Sequence, residues 1–260
     1  MPRTPADDVH PILPGCEAWS SPGGGPHGAL VLHGFTGNPL SMRPLAEALA
    51  DAGFNVEMPR LPGHGTSIED MVHTEWDDWR AEAERSLDAL AARSPEGRCI
   101  VVGLSMGGAL TAAVAEGHPE LAGIVLINAP VAVPAEMVTA VAAMLDGGME
   151  TMESIGGDIA DPASEELSYD ATPLRALLTM MEAGKQVRER LGEITMPALV
   201  ITSRQDHVVN PEDSNILAAE IQGPVEHLWL EKSYHVATLD YDRAEVESAT
   251  VAFARQVTAG

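Results

Sequence analysis

The sequence has few cysteines, few aromatic residues and no long apolar run. Its 260 residues include two cysteines, Cys16 and Cys99, so a disulfide framework is excluded and a thiolate metal site is disfavoured. No apolar run approaches the roughly 20 residues that a membrane-spanning helix needs. The N-terminus also lacks the basic and then apolar pattern of a secretory signal. We therefore expect a protein of the cytoplasm.

Basic residues are also scarce. The chain has 15 lysines and arginines against 39 acidic residues, which gives a formal net charge of −24. Because phosphate binding requires clustered lysine and arginine side chains, nucleic acid is excluded as a partner. The simplest interpretation of this charge is an acidic, solvated surface, and adaptation to salt is the alternative.

The sequence does contain a regular alternation of short apolar runs and amphipathic stretches. The apolar runs are rich in valine, isoleucine and leucine, which is typical of strands buried on both faces of a parallel sheet. The predicted strands are 29–32, 54–58, 99–102, 123–127, 198–202 and 227–230, and the predicted helices are 41–52, 75–93, 108–117, 212–221 and 242–257. This alternation predicts an α/β fold with a mostly parallel sheet that is flanked by helices on both faces.

The alternation is interrupted between residues 129 and 191, where no strand is evident and glycine pairs separate short helical pieces. This segment is predicted to be an insertion into a core formed by residues 1–128 and 192–260. Its many methionines are either core residues of the insertion or, since methionine is adaptable, the lining of a pocket for an alkyl chain. The first 28 residues, rich in proline and glycine, are predicted to be a loosely structured lead-in.

The strongest chemical signal is the run GLSMG at residues 103–107, between a predicted strand and a predicted helix. A nucleophilic serine requires a sharp strand-to-helix turn that exposes its hydroxyl, and flanking glycines permit this turn. The N-terminus of the following helix directs N–H groups toward developing negative charge. Ser105 is therefore predicted to be a catalytic nucleophile.

A serine hydroxyl is a weak nucleophile, so it requires a base and an acid that orients the base. In this architecture the acid and then the histidine follow the serine along the chain. Asp206 is the predicted acid because it lies in the loop after a predicted strand, whereas Asp213 lies in the next helix. His235 is the predicted base because it lies in the loop before the last helix. His227 lies in a strand, and His207 is adjacent to the acid.

Acyl transfer also requires N–H donors that stabilise the tetrahedral oxyanion. The run HGFTG at residues 33–37 follows the first buried strand, where such a donor belongs. The backbone N–H groups of Phe35 and Met106 are therefore predicted to form an oxyanion hole. His33 is expected to brace this loop, and His64, between two glycines, is expected in a tight surface loop. No histidine and carboxylate spacing resembles a zinc motif.

These motifs resemble the α/β-hydrolase fold and, more closely, the bacterial monoacylglycerol lipases and the related small thermostable carboxylesterases. The resemblance runs along nearly the whole chain and is most specific in the stretch SYHVATLD at residues 233–240. It implies an α/β-hydrolase fold with a small helical cap insertion. It also implies ester hydrolysis by a triad of Ser105, Asp206 and His235, for which no cofactor and no metal is needed.

The resemblance also assigns two residues of the cap. The runs SIGGD at 154–158 and EELSY at 165–169 are similar to the lipase pattern rather than to the esterase pattern. By that match Glu166 contacts the glycerol head group and Ile155 lies against the acyl chain, whereas the plain sequence makes Glu166 a surface carboxylate. In the lipases the cap is a mobile lid, so we expect at most transient contact with lipid surfaces through it.

The expected reaction is hydrolysis of a monoacylglycerol to glycerol and free fatty acid through an acyl-enzyme intermediate, so the expected partner is a small lipid ester. A broad-specificity carboxylesterase acting on short to medium acyl esters shares every catalytic residue, but it would not prefer a glycerol head group. A thioesterase or a carbon–carbon bond hydrolase is a further alternative. A non-catalytic binding protein of the same fold is another, and it would not react with a fluorophosphonate probe at Ser105.

Overall fold

The computed structural model describes residues 1–154 and 156–259, and it is built around a seven-stranded sheet. The strands in chain order are β1 (Trp19–Ser21), β2 (Gly28–Leu32), β3 (Asn55–Met58), β4 (Cys99–Leu104), β5 (Gly123–Ile127), β6 (Thr151–Glu153), β7 (Ala171–Pro173), β8 (Ala198–Ser203) and β9 (Val225–Leu230). The order across the sheet is β1-β3-β2-β4-β5-β8-β9, with β1 antiparallel to β3 and every other pair parallel. Strands β6 and β7 pair with each other outside this sheet.

Helices cover both faces of the sheet. They are α1 (Arg43–Asp51), α2 (Ile68–Met71), α3 (Trp76–Arg93), α4 (Met106–Ala115), α5 (Ala135–Asp146), α6 (Leu174–Arg190), α7 (Glu212–Glu220) and α8 (Arg243–Thr258). Apolar residues of α1 and α8 form one core with the sheet, and residues of α3, α4 and α7 form the core on the other face. Within the described residues, none of these helices has the length and apolar character required to cross a bilayer.

The predicted fold class is confirmed, because all six predicted strands and all five predicted helices form within a few residues of the expected bounds. Every residue of β2, β5 and β8 is buried, which explains why these strands read as continuous aliphatic runs. Strand β1 was not predicted. It has three residues, lies at the edge of the sheet and is partly exposed, so it carries no hydrophobic pattern.

The expectation of a loosely structured lead-in is wrong. The buried guanidinium of Arg60 donates to the Asp8 carboxylate at 2.5 Å and to the Pro5 carbonyl at 3.0 Å. The buried Asp70 carboxylate accepts the backbone N–H of Val9 at 3.0 Å. Because a buried charge requires a partner, these contacts attach the N-terminal segment to the core. Composition alone does not reveal such a pair, since its members are far apart in the sequence.

The insertion between β5 and β8 also differs from expectation. It contains the two short strands β6 and β7, which pair antiparallel, and its helices α5 and α6 have 12 and 17 residues. The expectation that this segment has only short helical pieces and no strand is therefore wrong. Strands of three residues are too short to display an alternating pattern. The division of the chain at residues 128 and 192 stays a prediction.

An ion pair joins the insertion to the helix that follows Ser105. Glu116, just after α4, contacts Arg190 at the end of α6 at 2.9 Å, and its side chain is 3% exposed. Its other carboxylate oxygen has no hydrogen-bond partner among the described residues. Burial raises the pKa of Glu116 to about 7, although the charges of Arg190 and Arg80 oppose this shift. The ionised form of Glu116 therefore costs the folded state free energy.

This raised pKa predicts how stability depends on pH. As the pH rises from 4.5 toward 7, the unfolded chain loses this proton before the folded chain does, so the free energy of unfolding falls. Glu116→Gln removes the penalty, and we expect it to stabilise the protein by about 3 kcal/mol at pH 8 and by less than half of that at pH 5.5. Urea unfolding at both pH values measures the effect. An equal gain at both pH values would contradict the assignment.

Candidate active site

The carboxyl ends of the parallel strands meet at one edge of the sheet, and the candidate residues lie in the loops at that edge. Ser105 directly follows β4, and Asp206 lies in the loop after β8. His235 lies in the loop after β9, and Phe35 lies in the loop after β2. The open α/β architecture therefore gathers residues that are up to 200 positions apart in the chain.

Ser105 lies in a tight turn between β4 and α4. Its backbone has φ of +55° and ψ of −122°, a region that residues with a side chain rarely occupy. A Cβ on Gly103 would lie 2.0 Å from the carbonyl oxygen of Gly107, and a Cβ on Gly107 would lie 2.3 Å from that of Leu32. The Ser105 N–H donates to the Ile127 carbonyl at 2.8 Å. Glycine at both flanking positions is therefore required to hold this strained turn.

Asp206 and His235 form a buried hydrogen-bonded pair. The Oδ2 atom of Asp206 lies 2.8 Å from Nδ1 of His235, and the two side chains are 2% and 8% exposed. The Oδ1 atom of Asp206 accepts the backbone N–H groups of Val208 and Val209, each at 2.8 Å. Because an ionised carboxylate only accepts hydrogen bonds, the imidazole proton lies on Nδ1 and Nε2 is available as a base.

Asn128 fixes the loop that carries His235. Its amide donates to the His235 carbonyl at 2.7 Å, and its side-chain oxygen accepts the Ser203 N–H at 2.8 Å. The Ser203 hydroxyl in turn donates to the Tyr234 carbonyl at 2.7 Å. Asn128 is buried and has φ of +46°, a conformation that asparagine tolerates better than most residues. The sequence signal for it was weak: a polar residue directly after a buried strand.

His33 braces the loop that carries Phe35, as expected. Its Nδ1 donates to the Gly34 carbonyl at 3.0 Å, and its Nε2 accepts the Leu61 N–H at 3.1 Å. Burial lowers the pKa of His33 to about 4, so the ring is neutral and its proton stays on Nδ1. A Cβ on Gly34 would lie 3.4 Å from the Cβ of Ser105. This loop therefore passes directly beside the candidate nucleophile.

Phe35 and Met106, the two residues predicted to form the oxyanion hole, are both buried in the core. The Phe35 ring packs edge-on against Trp79, with centroids 5.7 Å apart. Met106 is the first residue of α4, so its N–H belongs to the group that has no acceptor within the helix. These positions place the Phe35 amide on a loop and the Met106 amide at the start of α4, both at the same edge of the sheet as Ser105.

His64 is buried, so the expectation that it lies in a surface loop is wrong. Its Nδ1 donates to the Pro62 carbonyl at 3.0 Å, and its ring packs against His33 and Trp79. The Tyr169 hydroxyl from the insertion donates to the Gly63 carbonyl at 2.8 Å and so covers the turn. Burial holds the pKa of the His64 ring well below its usual value. Over residues 1–154 and 156–259, no group of three histidine, cysteine or acidic side chains could hold a metal ion.

Glu166, read as a surface carboxylate from the plain sequence, lies half-buried beside the site. Its Oε2 accepts the Gly157 N–H at 2.9 Å, and a Cβ on Gly37 would lie 3.0 Å from its Oε1. Burial raises the pKa of this carboxyl, while the Gly157 N–H and the charge of His235 oppose the rise. The carboxylate therefore lies next to the Phe35 loop and within electrostatic reach of His235. Ile155, the other residue assigned to the substrate, lies outside the described residues.

The methionines of the insertion divide into two groups. Met181 is 7% exposed and packs in the core, with Met152 and Met180 packed against that core. Met137 and Met149 are each 49% exposed, on or just after α5. The first of the two interpretations therefore holds for the inner methionines, while the outer ones form an apolar surface of the insertion.

The chain is similar to known proteins along most of its length. The profile of a family described as serine aminopeptidase S33 matches residues 26–242. A thermostable monoacylglycerol lipase from Bacillus sp. is 44% identical over 250 residues, which cover 95% of this chain and 97% of the lipase. A carboxylesterase from Bacillus subtilis is 31% identical over 225 residues, which cover 85% of this chain and 89% of the esterase. A solved structure of a metagenome-derived lipolytic enzyme has a TM-score of 0.90 at 40% identity and covers 95% of this chain and 100% of its own.

Proposed function

The chain belongs to the serine aminopeptidase S33 family of hydrolases, and on that premise we propose that it hydrolyses monoacylglycerols to glycerol and free fatty acid. It is a carboxylic ester hydrolase, as are the lipase and the carboxylesterase that it resembles. The observation that carries the proposal is the half-buried Glu166 carboxylate, which lies beside Gly37 in the Phe35 loop and within electrostatic reach of His235. A monoacylglycerol has two free hydroxyl groups next to the ester, and these require a hydrogen-bond acceptor at that place.

The proposed mechanism uses Ser105, Asp206 and His235 as a triad. Nε2 of His235 removes the Ser105 proton as the hydroxyl oxygen attacks the ester carbonyl, and Asp206 stabilises the charged imidazole that forms. The N–H groups of Phe35 and Met106 stabilise the tetrahedral oxyanion. His235 then protonates the departing glycerol oxygen and leaves an acyl ester on Ser105.

The second half of the cycle releases the fatty acid. Nε2 of His235 takes a proton from water as the water oxygen attacks the acyl carbonyl, and the same two N–H groups hold the second oxyanion. The proton returns to the Ser105 oxygen as the acyl bond breaks. The 2.8 Å contact between Asp206 and His235 supports this role, because it keeps Nε2 free in both halves.

The proposed role of Glu166 can be tested by comparing esters of the same fatty acid that differ in the leaving group. We expect Glu166→Ala to lower kcat/KM for monolauroylglycerol by a factor of about ten to a hundred, the usual effect of a lost hydrogen bond to a charged group. The same variant should hydrolyse methyl laurate at nearly the wild-type rate, because that ester has no free hydroxyl group. Initial rates on monolauroylglycerol, methyl laurate and trilaurin measure the effect, with wild type fastest on the first.

The adjacent Glu165 supplies the matched control, because it is exposed and carries the same charge. Glu165→Ala should leave the preference for the glycerol ester intact. If methyl laurate is cleaved as fast as monolauroylglycerol and Glu166→Ala changes neither rate, the protein is a broad-specificity carboxylesterase. The similarity to the Bacillus subtilis carboxylesterase makes that outcome the second candidate.

The acyl chain is proposed to reach the site past the outer surface of the insertion. Among its described residues, the exposed large apolar side chains are Met137, Met144, Met149 and Leu167. Flexible thioether side chains adapt to alkyl chains of different length. Contact of this surface with lipid would be transient, since the net charge of −24 opposes anionic membranes.

The proposed place of action is the cytoplasm. Both cysteines are free, with Cys16 buried and Cys99 half-buried, as is typical of proteins in a reducing compartment. The small lipid ester is the partner that this proposal requires, since every step of the cycle is carried by side chains and backbone groups of the chain itself.

A further inference from the structure

The carboxylate of Asp158, in the insertion, contacts the loops of both Asp206 and His235. Its Oδ2 accepts the backbone N–H of His235 at 3.1 Å and that of His207 at 3.2 Å. Its Oδ1 lies 2.9 Å from Nδ1 of the His207 ring, and its backbone carbonyl accepts the Val236 N–H at 3.1 Å. The Asp158 side chain is 17% exposed. One carboxylate thus bridges two loops that follow different strands.

The position of these contacts matters for the Asp206–His235 pair. His207 is adjacent to Asp206, so a single oxygen atom of Asp158 holds the main chain next to the acid and at the base. The distance between the two loops is therefore set in part by a residue that belongs to neither of them. Because proton transfer requires the base to lie within hydrogen-bond reach of the nucleophile, a small shift of either loop affects the reaction.

A second link of the same kind lies beside the first. Asp240 accepts the Tyr234 N–H at 2.8 Å and the Ala160 N–H at 2.8 Å, so it joins the same part of the insertion to the same loop. The Asp240 side chain also accepts the Asp161 N–H at 3.0 Å. Residues 158–161 are therefore attached to the His235 loop through two carboxylates, that of Asp158 in the insertion and that of Asp240 after the loop.

We propose that Asp158 is a positioning residue, which acts from the insertion to hold Asp206 and His235 at the separation that proton transfer requires. The placement of the insertion and the geometry of the base are then coupled through one side chain. The proposal rests on the part of the proposed function that assigns Ser105, Asp206 and His235 as the triad. It does not depend on recognition of glycerol by Glu166.

If Asp158 has this role, the rate loss in its variants should depend on the leaving group of the ester. His235 acts first as a base toward Ser105 and then as an acid toward the departing oxygen. A methoxide or glycerol oxygen requires that proton, whereas p-nitrophenolate leaves without it. A displaced imidazole should therefore slow an alkyl ester more than the p-nitrophenyl ester of the same fatty acid.

The experiment compares Asp158→Ala, Asp158→Asn and Asp161→Ala on the methyl and p-nitrophenyl esters of lauric acid. We expect Asp158→Ala to lower kcat/KM for the methyl ester, which reports the acylation step, by about tenfold to a hundredfold, with a smaller loss of kcat/KM on the p-nitrophenyl ester. Asp158→Asn should restore most of the rate, because its amide oxygen still accepts both backbone N–H groups and its amide nitrogen still faces His207. Asp161→Ala removes the same charge three residues away and should match wild type.

Several outcomes would overturn the proposal. They are an equal loss of kcat/KM on both esters, no loss in a folded Asp158→Ala, and an Asp158→Asn that is as slow as alanine although its melting temperature is unchanged. If Asp158→Ala does not fold, Asp158→Glu takes its place, since it displaces the carboxylate by one methylene and should show the same selective loss. Failure of the triad would be visible separately as full activity in Ser105→Ala. If the preference for glycerol esters fails, the comparison of the two test esters still decides the role of Asp158, because neither ester contains glycerol.

Discussion

Replacing Ser105 with alanine is expected to lower kcat on every ester by a factor on the order of 10⁵ or more. Without the hydroxyl no acyl-enzyme forms, and the oxyanion donors alone cannot supply the missing step. The fold should persist, because alanine has the same Cβ as serine and so experiences the same strain at φ of +55°. Initial rates on monolauroylglycerol and on a p-nitrophenyl ester measure the loss, and thermal unfolding checks the fold.

A fluorophosphonate probe provides an independent readout of the same prediction. Mass spectrometry should find the probe on Ser105 of the wild-type protein and no label on Ser105→Ala. Ser248 is exposed on α8, and Ser248→Ala should label and react like wild type. Stable folded wild type that does not take the label would favour the non-catalytic binding protein. Substantial turnover by Ser105→Ala would identify a different nucleophile.

Local sequence signals were sufficient for most of the candidate site. Ser105 lies in a turn that two glycines make possible. Because any Cβ at Gly103 or Gly107 would clash with the backbone, the turn requires glycine at both positions, and the GLSMG motif shows this in the sequence. Asp206 follows the buried, aliphatic strand β8, and His235 follows β9, which has fewer apolar residues and is only partly buried. Chain order then restricts the choice of acid and base, so the pair at 2.8 Å could be anticipated from the sequence.

The residues that sequence reasoning missed act across long separations. Asn128 contacts the backbone of His235, 107 positions away, and Asp158 contacts it from 77 positions away. Neither residue lies in a short motif, and asparagine or aspartate at such places is common in ordinary turns. The attachment of the N-terminal segment to the core by the Arg60–Asp8 pair was missed for the same reason. Periodicity reports which face of an element is buried, but it does not report which polar groups meet there.

Some of the acidic residues have a structural role that the composition alone does not reveal. Interpreted as a solvated surface, the acidic residues would have no particular partners. Around the site, however, several aspartates accept two or more backbone N–H groups of loop residues; they are Asp158, Asp206, Asp213, Asp240 and Asp242. These side chains satisfy the main chain of segments that have no helix or strand to do so. Part of the negative charge therefore belongs to carboxylates that stabilise the loops of the site by hydrogen bonds.

Asp206→Asn should lower kcat by about four orders of magnitude while leaving KM nearly unchanged. The neighbouring contacts determine how the amide must lie. The N–H groups of Val208 and Val209 retain the side-chain oxygen, so the amide nitrogen turns toward Nδ1 of His235. Two donors then face each other unless the imidazole proton moves to Nε2. With the proton on Nε2, His235 cannot accept the proton of Ser105.

The measurement is a full kinetic comparison of wild type, Asp206→Asn and the exposed control Asp88→Asn on α3, with melting temperatures for all three. The control should match wild type in every parameter. Asp206→Asn should keep its melting temperature within a few degrees, because the amide preserves the two backbone contacts and the shape of the side chain. If it retains more than about a tenth of the wild-type kcat, the tautomer of His235 does not depend on Asp206. The acid would then have to be sought among the other carboxylates that contact this loop, namely Asp158, Asp240 and Asp242.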